Sequence, residues 1–369
     1  MRDRLSPRNL TRGALCLLMV AGALVDLLTP GDQRFDLFLS AAPALAASIG
    51  SVRGTAAIGV LALLIEGGVA FTRDPALRST SWAGMAVIAV VTVAACYTSK
   101  VRAQYEQDLS EVREVAETAQ RMILRPLPSS LGAMELHLLY AAAAAQARIG
   151  GDFYEVLRAP GSVRVILGDV QGKGLPAVEV ASVLLTAFRT AGNDAADLPA
   201  LVDALEQGLA RYSEQVPDSD AAERFATVVL VEIPDDLPVV RILNCGHPSP
   251  LLIRRGQRIR TLDPAVYGLP VNLTLLGGQE GRRVDVSPFE ADDRLLLFTD
   301  GVSETRDRDG VFYPLTERLQ QWTAQPCAAL LERLRVDLRA FGAAPRDDDM
   351  AALIVHRRAV AAGLSPPAR

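Results

Sequence analysis

The sequence predicts an α+β fold of packed antiparallel sheets with helices outside, preceded by an apolar region suited to a membrane. Three observations carry this. Half of the 369 residues are apolar and the mean hydropathy is +0.20, yet the apolar residues crowd into the first hundred positions. A charged stretch without Gly or Pro follows at 100–125. Beyond it, short β-branched runs stand before, between and after helical blocks, the pattern of sheets packed beneath helices.

Within residues 1–99, four apolar segments predict a four-helix transmembrane region: 13–29, 36–50, 55–71 and 82–98. Each is close to the shortest helix that spans a bilayer, and Pro43 weakens the second. A cleaved signal peptide would explain the first alone. Arg2, Arg4, Arg8 and Arg12 precede the first segment, Arg53 sits between the second and third, and Lys100 and Arg102 follow the fourth. The positive-inside rule places these on the cytoplasmic side, against a weaker signal from Arg73 and Arg78. The expectation is a multi-pass protein of the plasma membrane, with its N-terminus and its larger domain in the cytoplasm. Asp26 and Glu66 fall inside apolar runs, where buried charge is costly, and read as functional residues or, preferably, as residues at a helix boundary or against another helix.

Residues 100–128 read as a helical linker. Tyr105, Leu109, Val112, Ala116, Ala119 and Ile123 form a heptad seam, and Pro126 and Pro128 end the helix. Such a seam serves either a homodimer through the linker helix or a single helix packed on the domain that follows.

The domain at 129–358 has strand candidates at 134–141, 152–157, 163–168, 225–233, 239–244, 249–254, 283–287, 294–298 and 351–356. Its helix candidates are 175–191, 197–214 and 326–341, with amphipathic spacing such as Leu198, Leu201, Val202, Leu205 and Leu209. The tail, 359–369, reads as disordered. The net charge of −5 gives no sign of nucleic-acid binding, and the four cysteines form no C-x-x-C.

Carboxylates recur at strand ends: Asp152 in IGGDFYE, Asp169 in VILGDVQGKG, Asp300 in LLLFTDGVSE, and Asp347, Asp348 and Asp349 in RDDDM. A single such Asp is ordinarily a turn or cap residue. Four stations beside hydrophobic strands converge if the strand ends share a rim, and converging carboxylates repel unless a cation lies among them. All-oxygen donors select hard ions such as Mg²⁺ or Mn²⁺. GDVQGKG is not a phosphate-binding P-loop, because Leu167 replaces the first glycine and Gly174 replaces the Ser or Thr.

GGDFYE, GDVQGKGLPA, NCGHPSPLL, LLLFTDGVSE and DDDMAALIV, in this order, resemble the SpoIIE/RsbU class of metal-dependent PPM serine/threonine phosphatases over about residues 134–357. The order of membrane region, helix and domain is similar to membrane-anchored actinobacterial members. The resemblance implies an αββα sandwich with two Mn²⁺ or Mg²⁺ ions between the sheets. It implies Asp152, Asp169, Asp300 and Asp348 as the catalytic acids, with Asp169 bridging the ions, the Val170 peptide oxygen and Asp349 as further metal ligands, and the register among Asp347, Asp348 and Asp349 open by one residue. Gln171, Glu155 and Ala351 depart from the common pattern without removing a ligand. The phosphate-gripping arginine of eukaryotic relatives has no clear match, and Arg148 fits poorly. His247 reads as a general acid or, preferably, a turn residue, while His137 and His356 read as structural. Lys173 and the Glu223-Arg224-Phe225 run read as support.

The implied function is hydrolysis of phosphoserine or phosphothreonine on a partner protein, with an anti-anti-sigma factor of STAS fold as the implied substrate. The rivals are a pseudophosphatase or signalling scaffold that docks a partner without turnover, and a membrane protein whose cytoplasmic domain is purely structural. A helical switch is also implied, in which the 100–125 helix repositions 175–191 and completes the metal site.

Overall fold

The computed structural model describes residues 36–72, 78–141, 150–217, 219, 223–273, 282–342 and 349–359. The first predicted span, Asp26, Arg73, Arg148, Asp347, Asp348 and residues 360–369 of the predicted tail lie outside them. The chain divides into two compact units, Met1–Val112 and Arg113–Arg369.

In the first unit, α1 (Asp36–Ile49) and α2 (Val52–Thr72) precede the long α3 (Arg78–Ile123), which continues into the second unit. Small and β-branched residues let these helices approach: Leu39, Ala42 and Ala46 pack with Ile58, Ala62 and Ile88. A side chain at Gly59 would collide with Thr92, so the helices meet closely at that glycine. Arg102 and Ser99 donate to the Gly50 carbonyl at 2.7 and 3.2 Å, satisfying a carbonyl just past the end of α1. Glu66 is buried, in keeping with a residue that faces another helix.

The predicted four-span region is matched only in part. Among the described residues one stretch, Trp82–Asp108, is long and apolar enough to cross a membrane. The second predicted span forms α1, the first element among the described residues. The third lies in α2, which carries Arg53 and Glu66 along its length. The fourth span and the linker are one uninterrupted helix, because no Gly or Pro separates them.

The second unit contains two antiparallel sheets. One runs β1 (Ser130–Leu131), β2 (Met134–Ala141), β11 (Met350–Arg357), β10 (Arg294–Phe298), β7 (Leu251–Ile253), β8 (Arg260–Thr261). The other runs β3 (Asp152–Ala159), β4 (Ser162–Val170), β5 (Ala226–Pro234), β6 (Val239–Cys245), β9 (Asp285–Pro288). Helices α4 (Leu175–Ala191) and α5 (Leu198–Gln215) pack on the β3 sheet, and α8 (Cys327–Phe341) packs on the β2 sheet. Two short helices, α6 (Asp300–Ser303) and α7 (Leu315–Gln320), lie between β10 and α8 in the chain.

Strand alternation explains the layers. On β10 and β11, Leu295, Leu297, Ala351, Leu353 and Val355 share one core with the β3 sheet. Their neighbours Leu296, Phe298, Met350, Ala352 and Ile354 share a second core with α7 and α8. A sheet buried on both faces needs apolar residues at both parities, which is why these strands read as continuous apolar runs. The result is the helix–sheet–sheet–helix sandwich, with β3 and β11 facing each other across the inner core.

Candidate metal centre

Register places the first two acids together. Asp152 on β3 stands directly opposite Asp169 on β4. The Val170 N–H donates to the Gly151 carbonyl at 3.2 Å, so Gly151 and Val170 form a hydrogen-bonded pair. The adjacent pair, Asp152–Asp169, is therefore of the non-hydrogen-bonded kind, in which side chains stand closest. Two carboxylates in that position destabilise the strand pair unless something neutralises them.

The opposite sheet supplies the remaining acids. Thr299, fully buried at the end of β10, donates its hydroxyl proton to Asp152 Oδ2 at 2.8 Å and accepts the Ala351 N–H at 3.0 Å. Asp300 follows at the start of α6. Asp349, one residue before β11 and in phase with Ala351, is buried and accepts the Tyr140 hydroxyl at 2.8 Å. The Asp152 carboxyl is held well above the ordinary carboxylate range, first by burial and then by the charge of Asp169. The Thr299 hydrogen bond works against this shift, and Asp349 and Asp300 add to it. Three stations far apart in sequence thus act on the buried carboxyl of the fourth.

The loop after β4 is held on two sides. Gln171 N–H donates to the Phe225 carbonyl at 2.8 Å, and Arg224 Nη1 donates to the Gln171 carbonyl at 2.6 Å. This fixes the peptide that carries the Val170 oxygen. A Cβ at Gly151 would lie 2.4 Å from that oxygen and 2.9 Å from Asp169 Oδ1, so the glycine leaves a cradle open beside both. Every donor there is oxygen, which suits a hard divalent ion. Among the described residues, no three His, Cys, Asp or Glu side chains stand close enough together to grip one ion. The predicted ligand Asp348 lies outside the described residues. The donor chemistry and the cradle fit the predicted ions.

His247 belongs to the fold rather than the chemistry. Its N–H donates to Asn244 Oδ1 at 2.7 Å while Asn244 Nδ2 donates to its carbonyl at 2.8 Å, a reciprocal clamp across the turn. Nδ1 lies 3.0 Å from Thr227 Oγ1. Burial pushes the imidazole down to about 3, only partly offset by the Phe298 backbone carbonyl. That direction favours the neutral imidazole, in line with the turn reading. His137 and His356 both meet Glu135, at 2.8 and 3.1 Å, on the β2–β11 pair, as structural histidines do.

Sequence reasoning missed Thr299, Tyr140 and the hydrogen-bonding role of Arg224. Thr299 was visible only as the residue before Asp-Gly, and Tyr140 only as the penultimate residue of a strand.

The family described as Stage II sporulation protein E (SpoIIE) matches residues 159–358. Phosphoserine phosphatase RsbU of Bacillus subtilis is 23% identical over 209 residues, covering 56% of this chain and 57% of that protein. The chain therefore spans little more than half the length of this curated relative. Among solved structures, the SiaA-PP2C domain of Pseudomonas aeruginosa superposes with a TM-score of 0.55 at 18% identity, over 68% of this chain and 98% of that one. The RsbU and RsbW domains of a Mycobacterium tuberculosis protein give a TM-score of 0.49 at 26% identity, over 61% and 60%. The SiaA-PP2C superposition shows a PPM phosphatase-like α+β fold, and a family match over more than half the chain makes this protein a member of the SpoIIE family.

Proposed function

We propose that this chain is a metal-dependent protein serine/threonine phosphatase, anchored at a membrane through Trp82–Asp108. The observation that carries the reading is the burial of Asp152 opposite Asp169, with Asp300 and Asp349 acting on it from the other sheet. Asp152, Asp169, Asp300, Asp348, Asp349 and the Val170 peptide oxygen would hold two Mn²⁺ or Mg²⁺ ions. When bound, such ions supply an activated water and offset charge on the phosphoryl oxygens. The chain's own residues orient that centre. Thr299 holds the Asp152 carboxylate, Arg224 and Phe225 hold the loop of Val170, and Tyr140 holds Asp349.

The membrane reading rests on the outward face of α3, where Trp82, Val87, Val90, Val93 and Tyr97 are exposed. The substrate class is phosphoserine or phosphothreonine on a STAS-domain anti-anti-sigma factor, supported by family membership and the RsbU relative. A second copy of the chain would pair through the linker helix, on which Tyr105 is exposed.

The test is Mn²⁺-dependent hydrolysis of p-nitrophenyl phosphate and of phosphorylated STAS proteins, before and after Asp169→Asn. Loss of both activities is expected. Persistence of Mn²⁺-dependent turnover in the variant removes Asp169 from the site, and Mn²⁺ binding without any turnover favours the pseudophosphatase.

A further inference from the structure

Gln120 sits near the end of α3, and its side chain is buried inside the second unit. A buried carboxamide is costly unless its polar atoms are satisfied. Here each N–H finds an acceptor: Nε2 donates to Asp349 Oδ2 at 3.1 Å and to the Gly150 carbonyl at 3.3 Å. Those acceptors belong to different sheets. Gly150 leads into β3, two residues before Asp152, and Asp349 leads into β11. Tyr140, from β2, donates to the same Oδ2.

The helix end cannot drift from this position. Arg189 on α4 donates from Nη2 to the Ile123 carbonyl at 2.8 Å and from Nε to Glu155 Oε2 at 2.6 Å. Glu155 lies three residues beyond Asp152 on β3. Leu124 is buried in the inner core. The exposed Met122 lies on the opposite side of the same turn.

We propose that Gln120 is a positioning residue of the metal centre, stapling the entry of β3 to the entry of β11 so that acids from the two sheets face one another. This rests on the metal-centre reading above. It assigns the last turn of the linker helix to the site itself, because the carboxamide is delivered from that helix. Outer-shell hydrogen-bond partners of this kind are worth about tenfold to a hundredfold in metal affinity.

The test uses the full chain in detergent, with Mn²⁺ binding followed by calorimetry and p-nitrophenyl phosphate hydrolysis measured across a Mn²⁺ titration. Gln120→Leu removes both donors at similar volume. Gln120→Met, unbranched and adaptable, covers the case in which the leucine does not fold, and thermal melts identify the folded variants. Met122→Ala is the control on the same helix turn. The expected result is Mn²⁺ affinity about tenfold to a hundredfold weaker in the Gln120 variants. The substrate KM at saturating Mn²⁺ should be unchanged, and the control should bind Mn²⁺ like the unaltered chain. Unchanged Mn²⁺ affinity in a folded Gln120 variant, or a change in KM alone, overturns the proposal. No Mn²⁺ binding by the unaltered chain overturns the metal-centre reading beneath it.

Discussion

Acid should unfold this protein partly through His247. The imidazole is ordinary at 6.5 when the chain is unfolded and is pushed down to about 3 by burial when folded. Between those values the unfolded chain binds the proton and the folded chain does not. Stability from this residue is therefore fully present above 6.5 and is lost as pH falls toward 3. The loss works out at about 2 kcal/mol by pH 5 and about 3 kcal/mol by pH 4. The assay is urea unfolding at pH 7 and pH 5, followed by the buried Trp322 with Trp82 replaced by Phe. His247→Asn keeps the backbone groups that clamp Asn244 but cannot titrate. Carboxylates titrate in both proteins and cancel in the comparison. The unaltered chain should lose about 2 kcal/mol more than the variant between pH 7 and pH 5. Equal losses in the two proteins would refute the buried, neutral imidazole and reopen the general-acid role.

Asp152→Asn should raise the melting temperature of the metal-free protein, since it removes a buried charge set against Asp169, while abolishing Mn²⁺ binding by calorimetry. Glu232 lies between Arg164 and Arg241, accepting hydrogen bonds at 2.8 and 2.6 Å, and Arg164 is itself buried. Glu232→Ala should cost about 3 kcal/mol in urea unfolding, because it strands the Arg164 charge. A Cβ at Gly301 would lie 1.9 Å from the Asp349 backbone oxygen. Gly301→Ala should therefore cost about 2 kcal/mol and weaken Mn²⁺ binding together, the first read by denaturation and the second by calorimetry.

Long periodic elements were legible in the sequence. The helix predicted at 175–191 is α4 to the residue, and the strands predicted at 134–141 and 294–298 are β2 and β10. Their apolar patterns are set by which face is buried, a local property of the chain. The two-residue strands β1 and β8 and the short helices α6 and α7 left no such pattern, because so few residues carry no period. Composition did not separate membrane spans from buried helices, for a related reason. Apolar composition marks burial, and burial against α2 or α3 satisfies Leu39, Ala42 and Ala46 as well as lipid would. At the site, Gly151 and Gly301 leave room for close approach of neighbouring backbone.

The layered sheets and helices, the helix through residue 123 and the family were legible from residue order, since each rests on residues close in the chain or on motifs in a fixed order. Which residues hold the acids emerged only in three dimensions. Thr299, Tyr140 and Gln120 come from three separate elements and reach Asp152 and Asp349 across gaps of 147, 209 and 229 residues. A hydrogen bond needs its partners within about 3 Å of each other. Nothing in a linear order of residues records that distance, so it becomes knowable only when the two sheets close face to face.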